Sequence, residues 1–161
     1  MDKKLVGSNI RLYQDFPILV PYVADFENYG RNILYRRTTD RRILRLIDQD
    51  IGLFNRSQRI PTRFQSYNAI IITYDNIPLH RDYTKRFSYQ IILASDFNNT
   101  YAIFNYGRLD GDSGDIGFTD PERYSTKRFL SPLADKRILS RTTNIDGGPL
   151  GKHVYKLSNS C

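Results

Sequence analysis

The chain has 161 residues, of which 40% are hydrophobic and 13% are aromatic, with 12 Tyr, 9 Phe and no Trp. A chain of this length can bury a core without disulfides, and this hydrophobic content excludes an intrinsically disordered protein. The net charge of +7 favours acidic partners such as sulfated glycans, nucleic acid or anionic membranes, although a solvated basic surface is the simpler interpretation.

The single cysteine and the first residues bear on the compartment. Cys161 is the last residue, so no disulfide can form within the chain. No apolar run reaches the roughly 20 residues of a membrane-spanning helix, and residues 1–6 lack the apolar segment of a secretion signal. The chain is expected to be either a piece of a longer secreted protein or a cytosolic protein. One domain is predicted at residues 16–157, with an N-terminal extension at 1–15 and a C-terminal tail at 158–161.

The first patterned segment is an apolar run, Phe16–Ala24, which Pro17 and Pro21 interrupt. Because proline cannot donate to a hydrogen-bond ladder, this run is predicted to lie at a sheet edge or to enter the fold as an extended segment. A short strand is predicted next, at Ile33–Tyr35.

The hydrophobic period then changes to that of an amphipathic helix, predicted over Thr39–Phe54. The apolar residues at helical spacing are Leu44, Ile47, Ile51 and Phe54. A threonine at position 38 or 39 is expected to cap the helix, and Gly52 is placed to end it. Ile43 and Leu46 widen the apolar face, so we expect the helix to lie against a sheet.

The remaining strands are rich in β-branched and aromatic residues. They are predicted at Ala69–Tyr74, Phe87–Ala94, Tyr101–Tyr106 and Val154–Leu157, with weaker candidates at Gly117-Phe118 and around Phe129. Several of these runs are apolar on both faces, which indicates central strands covered on both sides. The predicted fold class is mostly β (α+β), an antiparallel β-sandwich with one principal amphipathic helix packed on it.

The central pair of strands carries a family resemblance. Residues 92–96 read ILASD and residues 101–107 read YAIFNYG. They are similar to the patterns "vLasDG" and "y.ifnYg" of the NIDO domain, a module first recognised in nidogen. Further segments resemble that family in its own order, namely Pro21–Asp25, Ile33–Asp40, Tyr67–Tyr74, Ile116–Phe118 and Arg141–Tyr155.

The resemblance implies a non-catalytic extracellular or cell-surface module that contacts matrix or cell-surface proteins. Two departures from the family pattern stand out. Tyr74 and His153 occupy positions where the family usually has Trp, and the loop from Asp110 to Asp115 is shorter and more acidic. Any ligand contact made through the indole at position 153 is therefore in doubt here.

The acidic loop is a candidate calcium site, because Asp110, Asp112 and Asp115 offer the oxygen ligands that hard cations prefer. Its spacing does not fit an EF-hand loop, which has an acid or amide at its fifth position and glycine at its sixth. Here Gly114 precedes Asp115, and the twelfth position is Pro121 where an EF-hand has glutamate. A solvated turn is the alternative interpretation. No other cofactor is expected, because the spacing of His80, His153 and Cys161 does not resemble a zinc site.

Arginines concentrate around the predicted helix. The candidate polyanion site consists of Arg36, Arg37, Arg41, Arg42 and Arg45. Planar guanidinium groups bind sulfate and carboxylate with two parallel hydrogen bonds, so a sulfated glycan such as heparan sulfate is the natural ligand. A solvated helix face, with Arg41 and Arg45 paired to Asp48, is the alternative.

Two tripeptides match the N-glycosylation sequon, Asn55-Arg56-Ser57 and Asn98-Asn99-Thr100, both in predicted loops. The sequence has no nucleophile elbow, no phosphate-binding glycine loop and no RNA-recognition or zinc-finger signature. We therefore predict no enzyme and no nucleic-acid partner. The function that the resemblance implies is an adhesion or matrix module with protein partners outside the cell, attached to a membrane only through the rest of a longer protein. The alternative is a sulfated-glycan-binding domain that uses the arginines.

Overall fold

Two antiparallel sheets and one long helix form the described part of the chain. The computed structural model describes residues 18–22, 26, 33–111, 117–120, 125–128 and 136–159. The elements are β1 (Ile18–Val20), β2 (Ile33–Thr38), α1 (Arg41–Ser57), β3 (Asn68–Leu79), β4 (Asp82–Ser95), β5 (Asn99–Leu109), β6 (Gly117–Asp120), β7 (Ser125–Arg128), a 3₁₀ helix (Lys136–Ser140) and β8 (Lys152–Asn159). The larger sheet has the order β2-β3-β4-β5-β8, and the smaller has the order β1-β6-β7.

The predicted fold class is confirmed as mostly β with one principal helix. Every predicted strand in the described ranges lies within an observed strand. The candidate strand around Phe129 lies outside the described residues, as do both ends of the predicted Phe16–Ala24 segment. The 3₁₀ helix was not expected from the sequence.

Strands β3 and β4 are about twice as long as predicted, because they continue into a hairpin whose turn is His80-Arg81. Arg81 has φ 65°, a left-handed conformation that glycine or asparagine usually marks in a sequence. Their register also shifts between Tyr74 and Ile77, where Asn76 has φ 52°. The turn of the hairpin therefore has no glycine or asparagine to mark it in the sequence, and the register shift interrupts the alternation of side chains between the two faces of the sheet.

Helix α1 begins and ends differently from the prediction. The Asp40 side chain, not a threonine, caps it by accepting from the Arg42 N–H at 2.8 Å. Gly52 does not end it, because the helix continues to Ser57 while Phe54 and Asn55 are buried beyond that glycine. Leu46 does not widen the apolar face, since its side chain is 63% exposed.

The helix packs on one face of the larger sheet, as the sequence predicted. The residues buried there, which we call the helix-side core, are largely aliphatic. They include Leu44, Ile47, Ile51 and Phe54 of α1, and Ala69, Ile71, Ile92, Ala94, Tyr101, Ile103 and Val154 of the sheet. An ion pair between Lys152 of β8 and Asp50 of α1 joins the two layers beside this core.

The opposite face of the larger sheet buries mainly aromatic residues. This aromatic core includes Tyr22, Phe87, Tyr89, Phe104, Tyr106 and Leu139, with Leu19 of β1 packed against it. Two of its hydroxyls hydrogen-bond to backbone carbonyls. Tyr22 donates to Gly111 at 2.8 Å, and Tyr106 donates to Pro21 at 2.7 Å. These bonds attach the segment after β1 to the larger sheet.

Candidate functional site

Strand β2 forms one edge of the larger sheet and presents an unusual surface. It pairs with β3 on one side, and the sheet order ends with it. Leu34 is 62% exposed and Tyr35 is 82% exposed, and the two residues that follow, Arg36 and Arg37, are also exposed. We call residues 34–37 the β2 edge. It combines two apolar and two cationic side chains on an outer strand.

A shallow hollow of about 200 Å³ lies beside the β2 edge, on the face of the sheet that α1 packs against. Its floor includes Ile71, Thr73 and Gln90. The Gln90 amide donates to Thr73 Oγ1 at 2.8 Å and accepts from Asn105 at 3.1 Å, which makes a polar row across three strands. The surface next to the edge is therefore polar and preorganised.

The five arginines of the candidate polyanion site are all exposed, but they do not form one face. Arg36 and Arg37 point to opposite faces of the sheet, because successive strand residues alternate. Arg42 Nε lies 3.7 Å from the carboxylate of Asp40. Asp48 accepts from both the backbone N–H and the hydroxyl of Ser66, at 2.8 and 2.6 Å, so its carboxylate is engaged with the loop after α1. A polyanion site here stays a prediction.

The acidic loop is only partly described. Asp110 forms a salt bridge with Arg108 at 2.6 Å and accepts from the Arg86 N–H at 2.9 Å. The hydrogen bond from Arg108 holds the pKa of Asp110 below its usual value. Asp112 and Asp115 lie outside the described residues, and the described ranges contain no group of three His, Cys, Asp or Glu side chains placed to hold a metal. Calcium binding stays a prediction.

The two sequons occupy opposite environments. Asn55 was predicted in a loop, which is wrong: it lies in the last turns of α1 and is only 3% exposed. Its amide donates to the Thr62 carbonyl at 3.1 Å, and its Oδ1 accepts from the Tyr101 hydroxyl at 3.0 Å. A glycan on Asn55 is incompatible with these contacts, because the sugar would replace a buried amide hydrogen between helix and sheet. Asn98 is exposed at the loop between β4 and β5.

The Asn98 loop is a tight turn organised by Asp96. The Asp96 carboxylate accepts from the backbone N–H groups of Asn98 at 3.0 Å and Asn99 at 2.6 Å. Phe97, which lies between Asp96 and Asn98, has φ 76°, a backbone conformation that is costly for any residue with a Cβ. Its ring stands on Tyr67, with 4.4 Å between centroids. Both rings are at the surface, with Phe97 72% and Tyr67 52% exposed.

The residues at the two tryptophan positions of the family lie on the aromatic face. Tyr74 stacks on Tyr89 with ring centroids 4.4 Å apart and 17° between planes. His153 is buried, with Nε2 3.1 Å from the Leu139 carbonyl and its ring edge-on to Tyr106. Burial lowers the pKa of His153, so the ring is held neutral. His153 therefore belongs to the core, and Tyr74 packs against that core from a partly buried position.

Comparison with known proteins decides the family. The profile of the nidogen-like domain matches residues 6–159. The chain belongs to the nidogen-like domain family. Mouse alpha-tectorin is 29% identical over 106 residues, which cover 64% of this chain and 5% of alpha-tectorin. No solved structure matches the chain.

Membership places this nidogen-like domain among extracellular matrix modules. The chain spans only a twentieth of alpha-tectorin, so it corresponds to a small part of that protein. In the described ranges, neither helix of the domain is long and apolar enough to cross a bilayer.

Sequence reasoning missed two surface features of this nidogen-like domain. Nothing in the alternation of β2 shows that it is an outer strand, because strand order depends on pairing between distant segments. The unusual conformation of Phe97, which pairs with Tyr67, could have been predicted from the sequence. The family pattern has glycine after Asp96, and Phe97 stands there instead, which indicates a left-handed residue that carries a side chain.

Proposed function

We propose that this nidogen-like domain is a non-catalytic adhesion or matrix module that binds an extracellular protein through the β2 edge. The observation that carries the proposal is the exposure of Leu34 and Tyr35 on an outer strand. Family membership supports the extracellular setting, and the edge supports the mode of contact.

An outer strand offers backbone N–H and C=O groups that can pair with a strand of another protein. Partner strands that add to such an edge gain affinity from the backbone bonds and specificity from alternate side chains. Here those side chains are one aliphatic and one aromatic residue, followed by Arg36 and Arg37. The charges favour an acidic partner strand and disfavour self-pairing of a chain whose net charge is +7.

The proposal assigns no reacting group, because strand addition needs only surface complementarity. Aromatic residues and arginine are the residue types that most often dominate the affinity of protein interfaces. Tyr35 is therefore expected to be the main contact, with the arginines setting partner choice and association rate.

Binding to a panel of purified extracellular matrix proteins, measured by surface plasmon resonance, tests the proposal. The double variant Leu34→Lys, Tyr35→Glu is expected to weaken the best binder about tenfold or more. The control is Leu150→Lys, Tyr83→Glu, which makes the same changes at two other exposed apolar residues. Equal binding by both variants, or equal loss in both, would refute a role for the β2 edge.

Sulfated-glycan binding is a second candidate, and one observation favours it. Arg41 and Arg42 lie in the first turn of α1, which has no acidic side chain beyond the N-cap Asp40. Cations at this positive end of the helix dipole are unfavourable by about 0.3–1 kcal/mol each, and a bound sulfate would offset that cost.

Heparin chromatography tests this candidate with charge-matched variants. The triple variant Arg41→Ala, Arg42→Ala, Arg45→Ala is expected to elute at lower salt than Arg81→Ala, Lys85→Ala, Arg141→Ala, which removes three exposed cations elsewhere. Co-elution of the two variants would show that only net charge matters, and it would remove this candidate.

A further inference from the structure

We propose that Asn98 is the N-glycosylated residue of this chain and that the rings of Phe97 and Tyr67 form the platform on which its first sugar packs. The proposal concerns the tip between β4 and β5 and does not depend on the protein partner of the β2 edge. It requires only passage through the secretory pathway, which the extracellular family supports.

The fold separates the two sequons. Oligosaccharide is transferred to the chain during synthesis, when either sequon can be reached. The finished protein carries a glycan only at a residue where the folded structure can accommodate it. Asn55 is bonded at both ends of its amide inside the helix-side core, whereas Asn98 is exposed in the described structure. A glycan on Asn55 would break the two hydrogen bonds that join the end of α1 to its surroundings, whereas a glycan on Asn98 would extend from an exposed side chain.

The turn presents Asn98 through its backbone. The Asp96 carboxylate holds the N–H groups of Asn98 and Asn99 and also the Asn99 side-chain amide, at 3.3 and 3.4 Å. Thr100 supplies the hydroxyl at the third sequon position and pairs with Ser158 in the β5–β8 ladder. The sugar attachment point is therefore fixed at the start of a central strand.

The covalent step uses a lipid-pyrophosphate-linked oligosaccharide as co-reactant. The Asn98 side-chain nitrogen attacks C1 of the terminal N-acetylglucosamine. A nitrogen–carbon bond forms, the bond from C1 to the pyrophosphate oxygen breaks, and the lipid pyrophosphate leaves. The amide gives up one proton, and no oxidant or reductant takes part.

Phe97 supplies the reason to assign a platform. A residue with a Cβ at φ 76° has a strained backbone, and such strain is concentrated at functional positions. Glycine would remove the strain, yet the chain places a large apolar ring there, directly before Asn98 and against Tyr67. Aromatic faces pack well on the C–H face of a sugar ring through dispersion and loss of water from apolar surface.

Glycopeptide mass spectrometry tests the attachment site. The chain, led by a secretion signal and expressed in mammalian cells, is expected to carry one glycan, on Asn98. Thr100→Val and Asn98→Gln should each abolish it, while Ser57→Ala, which removes the other sequon without touching Asn55, should leave it in place. Secreted folded protein with Asn98 unmodified, or with a glycan on Asn55, would overturn the assignment.

Thermal unfolding tests the platform. Protein trimmed to a single N-acetylglucosamine is compared with the same chain made in bacteria, and the sugar is expected to raise Tm by about 2–4 °C. In Phe97→Ala and in Tyr67→Ala the rise should disappear; Phe97→Ala keeps a Cβ at the left-handed position, so the backbone strain is matched. An equal rise in the wild type and both variants, or no rise in the wild type, would overturn the platform.

Discussion

The two faces of the larger sheet solve the same packing problem with different residues. The helix-side core is largely aliphatic and is closed by one amphipathic helix. The aromatic core is covered by the segment around Tyr22 and by Leu139 of the 3₁₀ helix, which are short pieces of chain. Broad rings let these short pieces cover much area, and hydroxyls bonded to Gly111 and Pro21 fix them in place.

This contrast has an electrostatic side. Burial raises the pKa of Tyr89, Tyr106 and Tyr155 above the usual tyrosine value, so their hydroxyls stay neutral. The helix side holds its buried and partly buried polar groups in specific pairs, such as Tyr101 with Asn55 and Lys152 with Asp50. One face is thus sensitive to lost ring volume and the other to lost partners.

The largest effect is expected from removing a ring of the aromatic core. Phe104→Ala should lower the free energy of unfolding by about 3–5 kcal/mol, because Phe104 is fully buried and packs on Tyr106 and Tyr155. Urea denaturation measures the change, with Leu150→Ala at an exposed site as a control expected within about 0.5 kcal/mol of wild type. A cost for Phe104→Ala no larger than that of the control would mean that this face is not a packed core.

A smaller effect is expected from a lost partner on the helix side. Tyr101→Phe keeps the ring but leaves Asn55 Oδ1 without its donor in a buried site. The expected loss is about 1–3 kcal/mol, the desolvation cost of an unsatisfied polar atom. Chemical denaturation checks it against Tyr35→Phe, which changes an exposed hydroxyl, and equal stability of the two variants contradicts the pairing.

Removing one hydroxyl from the aromatic side should cost no more than that. Tyr106→Phe deletes the bond to the Pro21 carbonyl, which is also buried, and is expected to lower the free energy of unfolding by about 1–3 kcal/mol. The ring and its contacts remain, so the same denaturation assay reports the hydroxyl alone. A loss greater than that of Tyr101→Phe would reverse the distinction between the two faces.

The smallest effect is a pH dependence on the aromatic side. Burial lowers the pKa of His153 in the folded chain, while hydrogen bonds to the carbonyls of Leu139 and Thr142 oppose the shift. Stability is therefore complete above the ordinary histidine pKa of about 6.5 and falls as the pH drops from there through the folded-state value, because the unfolded chain takes up a proton first.

The variant His153→Gln isolates this dependence, since glutamine keeps a donor for Leu139 and does not titrate. Tm measured between about pH 7 and pH 5 should fall less steeply in the variant than in the wild type. His80 is present in both proteins and cancels in the comparison. Parallel curves would show that His153 does not contribute in this range.

The sequence predicted what is periodic and local. The spacing of Leu44, Ile47 and Ile51 determines α1 and the face it buries, and segments rich in β-branched or aromatic residues mark the strands of the larger sheet. The prediction that Gly52 ends α1 was wrong, because the low helix propensity of one glycine is outweighed by the burial of Phe54 and Asn55 in the following turn.

The site features depend on contacts between distant segments. Asn55 is a plausible sequon in the sequence, and only its bond with Tyr101, 46 positions away, shows that it belongs to the core. The outer position of β2 likewise follows from the pairing order of the whole sheet. No local pattern contains either fact.

Strand β5 makes the two cores inseparable. Tyr101 and Ile103 belong to one core while Ala102 and Phe104 belong to the other, and all four are fully buried. Neither layer can open without disturbing the backbone that the other relies on. The amide protons of these residues should therefore exchange with solvent only when the whole domain opens, as one cooperative unit.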